Sequence, residues 1–169
     1  MLGGLALAAC SPTGLYSVGP LRGKIVDAET KQPVEGAVVL AVWTKQGPIG
    51  GPGGAPALFY EAQEVLTDAN GEFNLAGIRG FFPLSRIYGP RIIIFKPGYG
   101  SYPRFAPRTN WGDRLLSGEH VTLELIPART REMRLKSGTG IDPVEVPEEK
   151  KRELMRLLRL DHEQLFPKR

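Results

Sequence analysis

Apolar residues gather in short runs that predict β-strands. The longest run, residues 37–43, holds seven apolar residues, so it predicts a strand that is buried on both faces. Apolar residues alternate with polar ones over residues 120–127, as in a strand with one buried face. Similar short patterns complete a predicted set of strands at residues 21–27, 59–67, 72–75 and 91–96.

Glycine and proline separate these runs, with 21 Gly and 15 Pro among 169 residues. They are densest over residues 44–58, which predicts a flexible loop. The Asp-Ala-Asn-Gly tetrad at 68–71 predicts a hairpin turn, because Asp and Asn bond to their own backbone and Gly tolerates a positive φ. Short strands with frequent turns predict an all-β fold, an antiparallel β-sandwich.

The tail after residue 127 has a different pattern. Pro147 suits the first position of a helix, and the two acidic residues after it suit the helix's positive end, so a helix is predicted over about 147–161. This amphipathic helix docks either on its own domain, which we favour, or on an anionic membrane surface. Its apolar face consists of Leu154, Leu157, Leu158 and Leu165.

An apolar run opens the chain and ends at its only cysteine, Cys10. Residues 1–9 are too short to span a bilayer as a helix and match the apolar region of a signal peptide. The Leu-Ala-Ala-Cys sequence resembles the lipobox of bacterial lipoproteins. That resemblance implies removal of residues 1–9, a diacylglyceryl group on Cys10 and a lipidated tether over residues 10–20. No Lys or Arg precedes the run, so a start further upstream and a chance Ala-Cys pair stay open as alternatives.

Four short motifs share the order and spacing of a known family. They are Gly-Lys-Ile-Val-Asp (23–27), Pro-Val-Glu-Gly-Ala-Val-Val (33–39), Thr-Asp-Ala-Asn-Gly-Glu-Phe (67–73) and Lys-Pro-Gly-Tyr (96–99). Together they resemble the carboxypeptidase regulatory-like domain, and the third motif is the most specific.

This resemblance implies a transthyretin-like (prealbumin-like) antiparallel β-sandwich over residues 21–127. It also implies an extracytoplasmic setting and a stabilising or adhesion role without peptidase activity. The segments that depart from the family pattern are 44–58, 79–90 and 100–119.

The net charge and the reactive side chains argue against several classes of function. The formal net charge of +4 does not indicate a dedicated nucleic-acid binder. A single cysteine provides no internal disulfide, and the two histidines, His120 and His162, lie in no metal-binding motif. The sequence contains no nucleophile-elbow motif and no Ser-x-x-Lys. We therefore expect no catalytic residue, no metal site and no cofactor.

Residues 79–114 form the candidate binding segment. They include eight aromatic residues and seven Lys or Arg, against one acidic residue, Asp113. Aromatic faces stack on sugar rings and Arg binds carboxylates or phosphates, so an anionic glycan or peptide is a predicted ligand. Single-stranded nucleic acid suits the same composition. The favoured alternative is that the aromatic residues fix two long loops while the cations stay solvated. The candidate ligand-binding residues are Tyr99, Tyr102, Arg104, Arg108 and Trp111.

These features predict a non-enzymatic, lipid-anchored protein of the bacterial cell envelope, with the outer membrane favoured over the inner one. Its sandwich is expected to be a structural or interaction module, attached to the membrane through Cys10 and contacting an envelope protein or polysaccharide. The runner-up is a glycan- or peptide-binding accessory protein that uses residues 79–114. No nucleic-acid partner is expected for an exported protein, and a hydrolase is the least favoured class because no nucleophile–base pair is visible.

Overall fold

The chain is mostly β-structure, with helices concentrated after the last strand. A computed structural model describes residues 15–47, 56–105 and 111–167, with Trp111 described by its backbone alone. The strands are β1 (Leu15–Val18), β2 (Leu21–Asp27), β3 (Val38–Gln46), β4 (Ala57–Leu66), β5 (Glu72–Leu75), β6 (Ile78–Phe81), β7 (Arg86–Phe95) and β8 (Val121–Leu125). The α-helices are α1 (Trp111–Leu116), α2 (Arg131–Gly138) and α3 (Arg152–Leu165), and a 3₁₀ turn spans Glu148–Lys150.

Two three-stranded sheets pack face to face, compatible with the predicted β-sandwich. Their strand orders are β5-β2-β8 and β4-β3-β7, while β1 and β6 form a separate antiparallel ribbon. Strand β2 pairs antiparallel with β5 but parallel with β8, in a register that places Gly23 opposite Val121. The prediction of a wholly antiparallel sandwich is therefore wrong at the β2–β8 pair.

The inner core lies between the two sheets because alternate residues of each strand point inward. Ile25 of β2, Phe73 of β5 and Leu123 of β8 pack in one apolar cluster with residues from the opposite sheet. Val39 and Trp43 of β3 are the opposing residues, and both are fully buried. Phe73 of the predicted strand at 72–75 thus faces the inner core.

A second core covers the outer face of β3. Val38, Leu40 and Val42 alternate with the inner-core residues and pack on this opposite face against Leu154 and Leu157 of α3. Strand β3 is thus buried on both faces, as its run of apolar residues predicts. The apolar stripe of α3 docks on its own domain, which decides between the two alternatives left by the sequence.

A carboxylate of strand β4 caps the start of helix α3. Glu64 of β4 accepts the backbone N–H groups of Glu153 and Leu154 through its two oxygens, at 2.8 and 3.0 Å. The first N–H groups of a helix lack partners within the helix, and a negative charge there also offsets the helix dipole. The helix accordingly begins later than predicted and runs over Arg152–Leu165 rather than over about 147–161.

Four elements lie where the sequence predicts no regular structure. Strand β1 falls inside the predicted tether over residues 10–20, and β6 extends from Ile78 into the 79–90 segment that departs from the family pattern. Helix α1 lies in the predicted insertion 100–119, and α2 precedes the predicted tail helix. In addition, β3 and β4 extend into the predicted loop 44–58, whose residues 48–55 lie outside the described part of the chain.

The turn at residues 68–71 has the predicted local chemistry but a different role. Asp68 Oδ1 accepts the backbone N–H groups of Asn70 and Glu72 at 2.9 and 2.8 Å, and Gly71 has a φ of +74°. The strands that it joins, β4 and β5, belong to different sheets. The predicted hairpin is therefore wrong, since the turn carries the chain from one sheet to the other.

Candidate functional site

The structure locates some of the candidate residues and leaves others undescribed. Tyr99, Tyr102 and Arg104 lie in the loop after β7, and Trp111 begins α1. The predicted lipidation residue, Cys10, and the candidate ligand-binding residue Arg108 lie outside the described residues. The loop at residues 99–105 is therefore where the predicted site can be examined.

Tyr99 is engaged inside the domain, at the end of β2. Its hydroxyl donates a hydrogen bond to Asp27 Oδ2 at 3.0 Å, while Asp27 Oδ1 accepts the backbone N–H groups of Glu29 and Thr30, both at 2.8 Å. The Thr30 N–H is the main cause of a lowered pKa of Asp27, and Tyr99 contributes in the same direction. Burial, and then the bond to Asp27, raise the pKa of Tyr99. This phenol acts as a structural donor to a carboxylate.

The Asp27 network predicts an acid-sensitive contribution to stability. Because folding lowers the pKa of Asp27, this contribution is present above its ordinary value of about 4 and is lost as the pH falls through the lower folded-state value. We expect Asp27→Asn to lower the free energy of unfolding by about 2 kcal/mol at pH 7. Denaturant unfolding at a series of pH values should find this difference shrinking on acidification.

The matched variant Tyr99→Phe removes only the hydroxyl from the same network and keeps the aromatic ring. It should give a smaller loss of the same sign, about 1 kcal/mol at pH 7. A difference between wild type and Asp27→Asn that grows below pH 4 would contradict the proposed role of the Asp27 carboxylate.

Tyr102 and Arg104 fix the same loop at its other end. Tyr102 forms a backbone bridge with Ile94 of the edge strand β7, packs partly buried against the inner core, and has a pKa raised by burial. The guanidinium of Arg104 donates to the backbone carbonyls of Lys136 and Thr139 at the end of α2, the latter at 3.0 Å. Cations favour the carbonyl end of a helix, so Arg104 fastens α2 to the loop.

An open groove lies beside Arg104, between β7 and the tail. Its charged lining includes Arg91, Arg104, Asp142 and Glu145. Arg91 forms an ion pair with Glu145, and Asp142 accepts a hydrogen bond from the buried Lys151 ammonium at 2.6 Å. These groups of the groove are therefore already paired within the chain.

The aromatic residues of the 79–114 segment do not form one surface. Phe95 is buried in the outer core, and Tyr99 lies near the ends of β2 and β8. Phe81 and Tyr88 lie at the opposite end of the sandwich, where β7 begins, and both are exposed. These side chains are close in sequence, but the length of β7 separates them in space.

Side chains that could bind a metal ion do not cluster among the described residues. Among them, no three or more His, Cys, Asp or Glu side chains come together to hold a metal ion. His120 pairs with Glu72 at 2.7 Å on the surface. The Ser101 hydroxyl is fully buried and has no hydrogen-bond partner.

In the part of the chain that the structure describes, no helix has the length and apolar character needed to cross a membrane. A scan against protein-family models gives no match to the chain, and a comparison with curated proteins also gives none.

Proposed function

We propose that this chain is a lipid-anchored protein of the bacterial cell envelope whose sandwich is a non-enzymatic structural or interaction module. The observation that carries the proposal is the short distance along the chain from Cys10 to the folded domain. Cys10 follows the Leu-Ala-Ala sequence and lies five positions before Leu15, where β1 begins. Five residues extend to about 17 Å at most, so a lipid on Cys10 holds β1 close to the membrane.

We further propose that the sandwich is transthyretin-like, and contacts between two of the family-like motifs support this. The buried hydroxyl of Thr67, in the motif at 67–73, donates to the carbonyl of Val34 at 2.7 Å and accepts the N–H of Ala37 at 2.9 Å. Two motifs separated by about thirty residues are thus joined through one side chain. Because an unpaired buried polar group is costly, this arrangement gives Thr67 a physical reason for its position in the motif.

The proposed partners would bind the outer surfaces of the domain, because the candidate loop is held by contacts within the chain. Tyr99 and Arg104 hold the loop in place through bonds within the chain, so a partner would contact the outer surfaces of the domain. The proposed partners remain an envelope protein or a polysaccharide, with attachment to the membrane through Cys10 and the outer membrane favoured over the inner one.

Intact mass of the protein recovered from its native membrane tests this proposal. We expect a diacylglyceryl-sized increment on Cys10 and loss of residues 1–9, and we expect Cys10→Ala to abolish both. Ser11→Ala serves as the matched control, because it changes the adjacent residue and leaves the thiol in place. An unmodified wild-type chain that retains residues 1–9 in the membrane fraction would contradict the proposal.

A further inference from the structure

One end of the sandwich brings together strand ends that are distant in sequence. The last residues of β3 pair with the first residues of β4 and with the first residues of β7. The β1–β6 ribbon joins this end, because the Tyr16 hydroxyl donates to the carbonyl of Gly89 at 2.7 Å. We call this region, formed by β1, residues 78–88, residues 44–46 and residues 57–60, the ribbon end.

Large apolar side chains are unusually exposed at the ribbon end. Leu15 is 59% exposed, Leu58 65%, Phe81 62% and Leu84 71%, and Tyr88 beside them is 41% exposed. Single exposed apolar residues are ordinary, whereas several together mark an interaction surface. The ribbon end therefore exposes an apolar surface to water.

Direct contacts join the ribbon and the segment after it to the ends of β3 and β4. Leu15 and Phe81 face each other across the ribbon in the β1–β6 register. Phe82 packs edge-on against Tyr60, with ring centroids 5.2 Å apart, and the Lys45 ammonium lies 5.8 Å from the centre of the Phe82 ring. The ribbon and the ends of β3 and β4 are therefore continuous.

The charge of the ribbon end has one sign. Lys45, Arg79 and Arg86 belong to it, and its sequence segments contain no Asp or Glu. Basic side chains next to apolar ones favour binding to the surface of an anionic membrane. Such a surface carries negative charge at its headgroups and is apolar below them. Helix α3 does not offer this combination, because its apolar stripe is used in the outer core.

We infer that the ribbon end rests on the surface of a bilayer that contains anionic phospholipid. Its apolar side chains enter the boundary between headgroups and acyl chains, and its basic side chains lie among the phosphates. The inference rests on the proposed function, since Leu15, five positions after Cys10, lies inside this surface. A lipid within about 17 Å of Leu15 presents the ribbon end to the membrane before any other part of the domain.

The test uses the full chain coupled through its single cysteine. Reaction of Cys10 with a maleimide phospholipid in phosphatidylcholine–phosphatidylglycerol vesicles recreates the tether whether or not cells lipidate the protein. A photoactivatable group in the acyl chains then labels the protein segments that enter the bilayer. We expect label in peptides that contain Leu15, Phe81 and Leu84, and little in peptides of the tail.

Affinity without a tether supplies the second measurement. In the Cys10→Ser background, Leu84→Glu should weaken sedimentation with the same vesicles about tenfold. The change removes an apolar side chain that would enter the bilayer and adds a charge that anionic lipid repels. Val144→Glu is the matched control, since Val144 is 86% exposed, lies in the tail and makes the same change of charge. Circular dichroism checks that both variants remain folded.

Each alternative gives a distinct result. Label that is absent from the ribbon end, or equal losses for Leu84→Glu and Val144→Glu, would overturn the inference. So would a dimer in the absence of vesicles that Leu84→Glu dissociates, because the surface would then belong to a second copy. Binding that is the same without phosphatidylglycerol would overturn the anionic preference. The mass spectrum of the native protein decides lipidation separately, so the two proposals can fail independently.

Discussion

Replacing Leu154 with Ala is expected to lower the free energy of unfolding by about 2–5 kcal/mol. Leu154 is fully buried in the outer core, between α3 and the outward-facing residues of β3. Truncation removes apolar contacts and leaves a cavity that the sheet cannot close, because the same residues of β3 are fixed by pairing on both edges. Chemical denaturation followed by circular dichroism measures the loss.

Leu160→Ala is the control for this prediction. Leu160 lies on the same helix and is 38% exposed, so the same change in helix propensity should cost about 1 kcal/mol or less. Equal losses for the two variants would mean that α3 contributes through its own helicity and not through its contact with β3.

Replacing Arg134 with Met is expected to cost about 3 kcal/mol through the charge that it leaves behind. Arg134 of α2 donates from Nε and Nη2 to Asp161 Oδ1 of α3, at 3.2 and 2.5 Å. The Asp161 side chain is only 5% exposed, so its carboxylate would remain buried without a partner. The Arg134 side chain is 23% exposed, which places the expected cost at the low end for breaking a buried ion pair.

The double variant Arg134→Met, Asp161→Leu separates the charge from the packing. Removing both partners leaves no unpaired charge, so its unfolding free energy should return to within about 1 kcal/mol of wild type. A double variant as unstable as Arg134→Met alone would show that the lost ion pair itself, and not the orphaned carboxylate, dominates the energetics of the α2–α3 contact.

The sequence allows prediction of the elements whose signal is local. The apolar run around β3 requires burial on both faces, and the spacing of Leu154 and Leu157 requires one docked helix face. The ribbon gives no such signal, because β1 and β6 are each four residues long and only half-buried. They depend on each other across more than sixty positions, as in the pairing of Leu15 with Phe81. Likewise, α2 lacks an apolar stripe and depends on its Thr130 cap and its contacts with other elements.

For the candidate site, the sequence shows the type of each residue but not its position in the fold. Tyr99 and Arg104 have side chains suited to ligand binding, but the sequence does not reveal that Asp27 and the end of α2 lie within reach of them. Leu58 and Leu84 lie in segments for which the sequence predicts loops, and a single apolar residue in a loop does not indicate a binding surface. Their shared exposure becomes visible only when the strand ends are brought together.

The parallel pairing of β2 with β8 determines the order in which this protein can be assembled during synthesis. Strand β2 is made about a hundred residues before its parallel neighbour β8, and α3 follows later still. Closing such long loops is entropically slow. Until then the outer face of β3 is bare and prone to association. We therefore expect the growing chain to become less prone to association once α3 covers this face of β3.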